Sequence, residues 1–103
     1  MHGLHQKTID ALHTVLEKED GVEAAVLYGS RAMGTYRNGS DIDLTLLGAT
    51  LDLTTLQRIE NNLDDLMLPY KIDLSLFKDI QNTELLAHIE RVGWVLYQRK
   101  AAD

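Results

Sequence analysis

Leu27-Tyr28-Gly29-Ser30-Arg31-Ala32-Met33-Gly34-Thr35-Tyr36-Arg37-Asn38-Gly39-Ser40-Asp41-Ile42-Asp43-Leu44 is the stretch that organises this chain, and Lys71-Ile72-Asp73-Leu74 answers it further on. Successive residues of a strand face opposite sides. A strand through Asp41-Ile42-Asp43-Leu44 therefore puts both carboxylates on one face, about 7 Å apart at their Cα atoms, and turns Ile42 and Leu44 into a core. Asp73 has the same apolar-Asp-apolar setting and can come alongside on a neighbouring strand. Carboxylates at close range resist ionising together. A magnesium or manganese ion removes that conflict, since both favour oxygen ligands. The plainer reading is a half-exposed strand with incidental acidic positions; aspartate is depleted in strands, which argues against it.

Gly29-Ser30 stands where an apolar strand gives way to a short helical segment. Glycine has no Cβ, so a phosphate can approach its backbone closely. Amides at such a turn point toward an anion, and the Ser30 hydroxyl can donate another hydrogen bond. Ser30 as a simple N-cap needs no ligand; the Asp-x-Asp strand downstream is what raises the turn above that reading. Arg31 and Arg37 are the nearest cations, suited to a triphosphate or to charge on a departing pyrophosphate, or else to a surface carboxylate. Lys71, two residues before Asp73, shares its face and can touch phosphate or merely flank the carboxylates.

The rest of the composition narrows the field. With 103 residues the chain reads as one small domain spanning 1–103, with no room for a separate substrate domain. Its formal charge of -6 and pI near 5.0 disfavour direct binding to DNA or RNA, which calls for a basic groove. The absence of cysteine removes disulfides, thiolate zinc sites and thiol catalysis. Met1 to Lys7 lacks a signal-peptide apolar run and no stretch approaches a membrane span, so a cytoplasmic location is the default. Asn38-Gly39-Ser40 formally matches a glycosylation acceptor but reads as a turn.

Periodicity orders the elements. Leu4 to about Lys18 forms an amphipathic helix with Ile9, Leu12, Val15 and Leu16 on one stripe. Val22–Tyr28 suits a buried strand, and Asp41–Leu47 a second. Asp52 caps a helix carrying Leu53, Leu56, Ile59, Leu63 and Leu66, which ends before Pro69. Tyr70–Phe77 alternates as a third strand, Thr83–Arg91 is a last helix, and Trp94–Tyr97 a terminal edge strand. The predicted class is α/β (α+β): a small mixed sheet with helices packed on it. His2, His5, His13 and His88 form no metal set and read as solvated surface. Trp94 and Tyr97 read as packing anchors, and Asp64-Asp65 as a wet helix face.

Gly29-Ser30, Asp41-x-Asp43 and Asp73 resemble the signature of the DNA polymerase β-like nucleotidyltransferases. More narrowly, Gly29-Ser30-Arg31-Ala32-x-Gly34-x-x-Arg37-x-x-Ser40-Asp41-Ile42-Asp43-Leu44 resembles the minimal, MntA-like group. The resemblance implies helices mainly on one face of the sheet. It implies that Asp41 and Asp43 hold Mg2+ (or Mn2+), with Asp73 completing the site and helping to position or deprotonate an attacking hydroxyl. Gly29 and Ser30 would hold the nucleoside triphosphate, with Arg31 and Arg37 nearby. ATP would be the substrate, and the acceptor a tyrosine of a helical HEPN-type partner that the chain silences as an antitoxin. Met33 departs from the pattern, since many relatives carry a basic residue there.

Three functions follow for comparison. One is magnesium-dependent transfer of AMP to a hydroxyl on the partner protein. A second is a non-catalytic antitoxin acting by complex formation. A third, transfer to a small-molecule hydroxyl, calls for an acceptor pocket that a chain this short would have to build by homo-oligomerisation, for which the Trp94–Tyr97 edge is available.

Overall fold

The strands are built from alternation and the helices from their stripes, much as the sequence dictates. The computed structural model describes residues 3–100; His2 lies outside them. The order is α1 (Gln6–Glu17), β1 (Ala24–Tyr28), α2 (Gly29–Met33), β2 (Ile42–Leu47), α3 (Leu53–Asp64), β3 (Ile72–Leu76), a 3-10 turn (Phe77–Asp79), α4 (Thr83–Val92) and β4 (Trp94–Gln98). The four-stranded sheet runs β3-β2-β1-β4. β1 is antiparallel to both β2 and β4, whereas β2 and β3 are parallel, joined by α3 as the crossover.

Ala25 and Leu27 of β1, Ile42, Leu44 and Leu46 of β2, and Leu76 and Leu96 of the outer strands form one buried face. Against it pack Ile9, Leu12, Val15 and Leu16 of α1 with Ile59 and Leu63 of α3. Each fully buried aliphatic side chain contributes about 1.5–3 kcal/mol, so this face is what holds the sheet. α4 lies on the opposite side: Ile89 and Leu86 line a groove with Val26, Leu47 and Val95. The two longest helices thus share one face, while α4 covers the other.

Polar contacts close the element ends. Asp52 Oδ1 accepts from the Thr55 amide at 2.8 Å, which satisfies an orphan donor of α3. Asn82 Oδ1 does the same for Glu84 and Leu85 at the start of α4. Arg99 donates to the carbonyls of Glu17, Glu19 and Val22 at 3.2, 2.8 and 2.9 Å, closing the C-terminal end of α1. Arg58 of α3 grips both carboxylate oxygens of Glu19 at 2.7 and 2.8 Å.

Three readings of single residues need correction. Trp94 is 42% exposed and Leu53 64% exposed; neither anchors the core, because the strand edge and the first helical turn leave them facing outward. His13 is not free surface: its Nε2 meets the Leu96 carbonyl and its ring stands edge-on to Tyr97. Tyr97 is buried, as its packing role requires.

Candidate active site

The face turned away from the core carries Tyr28 on β1, Asp43 and Thr45 on β2, and Asp73 and Ser75 on β3. Register fixes their neighbours: Asp43 is opposite Tyr28 on one side and Asp73 on the other. Adjacent strands lie about 4.8 Å apart, so Asp43 and Asp73 are side by side. Asp41 stands one residue before β2 and is exposed, as is Asp73, while Asp43 is half-buried.

Electrostatics registers this crowding. The Asp43 carboxyl is pushed above its ordinary value of 3.8, first by burial and then by the negative charges of Asp73 and Asp41. Burial likewise raises the Tyr28 phenol, and Asp43 and Asp73 add to that shift. Mutually repelling carboxylates on a rigid sheet suit a hard dication with oxygen ligands. Among the described residues, however, no three His, Cys, Asp or Glu side chains close into a ready-made cage. The three aspartates thus stand on an open face, with Asp41 and Asp73 exposed to either side of half-buried Asp43.

Gly29 begins α2 directly after Tyr28. Its φ of +73° lies in the left-handed region, and an added Cβ would collide with Asp43 Oδ2. Glycine is required there both for conformation and for closeness to the carboxylate. The turn is held from the far side by α4: the Gly29 amide donates to His88 Nε2 at 3.0 Å. Ser30 follows, half-buried in the first turn of α2.

The two arginines of the motif separate. Arg37 is exposed; its backbone amide donates to Ser40 Oγ at 2.8 Å, forming with Gly39 (φ +81°) the tight turn that delivers the chain to Asp41. Arg31 is only 2% exposed. Its guanidinium lies over the rings of Tyr36 and Tyr70 at 5.1 and 4.8 Å, and its Nε donates to the Ser40 carbonyl at 3.1 Å. It ties α2 to the loop before β2 and to the segment before β3. Lys71 is exposed ahead of β3, and its carbonyl accepts from the Ile42 amide.

His88 is the residue that reading the sequence as solvated surface overlooked. It stands three residues after Leu85 and one before Ile89, on the inward stripe of α4, and this spacing was the available signal. Its ring also meets Tyr28 edge-on at 6.2 Å.

The model of the family described as polymerase beta, nucleotidyltransferase, matches residues 10–102, and the chain belongs to that family. No curated protein matches it significantly. Among solved structures it is similar to a toxin–antitoxin crystallised with AMP-PNP, at 23% identity and a TM-score of 0.72, covering 89% of this chain and 74% of that one. It is similar also to a complex of tri-AMPylated Shewanella oneidensis HEPN toxin with MNT antitoxin, at 21% identity and TM-score 0.68, covering 96% and 74%. A variant of the MntA–HepT toxin–antitoxin is 26% identical, with TM-score 0.68 and coverage of 94% and 75%.

Proposed function

We propose that this chain transfers AMP from ATP to a hydroxyl of a helical HEPN-type partner, and thereby acts as the antitoxin of a two-component system. The observation that carries the reading is the packing of Gly29 against Asp43, itself flanked by Asp73, in a member of a nucleotidyltransferase family. The AMPylated toxin in the Shewanella complex and the AMP-PNP in the other toxin–antitoxin structure support this choice of acceptor class and nucleotide.

Asp41, Asp43 and Asp73 would hold Mg2+ or Mn2+, which when bound offsets their repulsion and stabilises charge on the triphosphate. Ser30 would receive a phosphate through its hydroxyl, while Gly29, its amide bonded to His88 and its Cβ space filled by Asp43, would contribute by keeping the turn close against the carboxylate. Arg37, exposed on the turn, and Lys71, exposed ahead of β3, would be the cations available to the phosphates. Arg31 acts one step back, holding Ser40 and hence the approach to Asp41. In the reaction the acceptor hydroxyl oxygen bonds to the α-phosphorus as the bond to the bridging oxygen breaks. Pyrophosphate leaves with that electron pair, and Asp73 takes the hydroxyl proton. Phosphoryl chemistry of this type depends on alignment and charge stabilisation, which a small rigid sheet can provide.

The test incubates the chain with labelled ATP, Mg2+ and a HEPN-type partner protein. Label on a partner tyrosine, absent with Asp41→Asn, supports the proposal. Label that persists without both Asp41 and Asp43 overturns it. Neutralisation by a carboxylate-substituted chain would instead favour the complex-forming antitoxin.

A further inference from the structure

Gly29 is pressed between two neighbours. On one side Asp43 Oδ2 occupies the space a side chain would need. On the other, the amide N–H is committed to His88 Nε2 at 3.0 Å. A peptide group in the left-handed region rotates easily when the residue is glycine, so the position of this turn is set by what it is bonded to. The His88 bond is the contact that ties it to α4. That helix is fixed in turn by its Asn82 cap, by buried Ile89 and by the Gly93 amide bonded to the Ile89 carbonyl at 2.7 Å. His88 is half-buried, and its ring rests edge-on against Tyr28, the residue opposite Asp43 in the sheet.

We propose that His88 is a positioning residue for the transferase site: by accepting the Gly29 amide it fixes the Gly-Ser turn, and the turn then fixes the carboxylate of Asp43. Nε2 is the acceptor, so the ring carries its proton on Nδ1. In this role His88 acts through the Gly29 amide rather than on the reacting groups. This inference rests on the function proposed above, and its experiment separates the two.

The chain is prepared with His88→Ala and with His88→Gln, whose Oε1 can reach the place of Nε2 and accept the same bond. Hydrogen exchange at the Gly29 amide is followed by NMR without any ligand. Loss of one hydrogen bond should speed it about tenfold in His88→Ala, with His88→Gln near wild type. Mn2+ affinity should weaken by about five- to tenfold in His88→Ala and recover in His88→Gln. The kcat for AMP transfer should fall by about tenfold with the KM for the partner protein unchanged, at a temperature where circular dichroism shows every chain fully folded. Unchanged Gly29 exchange in His88→Ala overturns the proposal. So does equal impairment of both variants, or a loss that tracks lowered stability. A wild-type chain that neither binds Mn2+ nor transfers AMP defeats the functional reading, while Gly29 exchange still decides whether His88 holds the turn.

Discussion

Asp43 and Asp73 are register partners on adjacent parallel strands, although twenty-nine residues including the whole of α3 separate them in the chain. Their side-by-side placement on the face away from the core is what turns two ordinary apolar-Asp-apolar segments into one acidic site.

The pair makes a prediction about stability that runs against intuition. Asp43 has a folded pKa raised above 3.8 by burial and by its acidic neighbours. An acid shifted this way opposes folding when ionised at neutral pH, and the penalty fades as pH falls through the folded pKa. Asp43→Asn should therefore melt no lower than wild type in the presence of a chelator, while losing transfer activity. Mg2+ should raise the melting temperature of wild type and leave the variant unmoved. A variant that is markedly less stable without metal contradicts the electrostatic account.

Gly29→Ala tests the closeness of the turn to the carboxylate. At φ +73° and with Asp43 Oδ2 in the way, the substitution should cost about 1–3 kcal/mol in chemical denaturation. Transfer should be abolished, because Asp43 must turn aside. Normal activity in a well-folded Gly29→Ala protein would show that the turn tolerates a side chain.

Arg31 should matter through packing and hydrogen bonding. Removing the guanidinium from between Tyr36 and Tyr70 and from the Ser40 carbonyl should destabilise the fold by about 2–3 kcal/mol in Arg31→Ala. Arg31→Lys keeps the charge but not the planar fork and should recover only part of that loss. Equal stability of Arg31→Lys and wild type would refute the role assigned to the planar group.

Glu19 supplies a pH-dependent link between α1 and α3. The hydrogen bond from Arg58 and its charge hold the Glu19 carboxyl below its ordinary value of 4.5, against the opposing effect of burial. A folded pKa below the unfolded one contributes stability that is present above about pH 4.5 and is lost as pH falls through the folded pKa. The difference in unfolding free energy between wild type and Arg58→Ala should accordingly shrink below that pH. A difference constant from pH 7 to pH 3 would contradict it.

Much of this was legible in the sequence because it depends on local rules. Period-two alternation placed Asp43 and Asp73 on strands, with Asp41 falling one residue ahead of β2 rather than in it, and helical spacing found the buried stripes of α1 and α3. The Asp52 cap was visible from residue type alone. What stayed hidden depends on contacts between distant segments. Nothing near Arg31 indicates that Tyr70, far along the chain, completes its aromatic enclosure. His88 carries no local mark beyond its place on the inner stripe of α4; only the packing of that helix against the turn brings it to Gly29. Trp94 shows the converse: a large apolar residue suggests core, yet its place on the outer strand of the sheet leaves it exposed.

The most direct test of the central claim is intact-mass spectrometry of the HEPN-type partner after incubation with this chain, ATP and Mg2+. The account predicts one or more adenylyl adducts on tyrosine that vanish with Asp41→Asn, Asp43→Asn or Asp73→Asn while those chains remain folded. Adducts undiminished by these substitutions would contradict it, as would a partner left unmodified by folded wild-type chain.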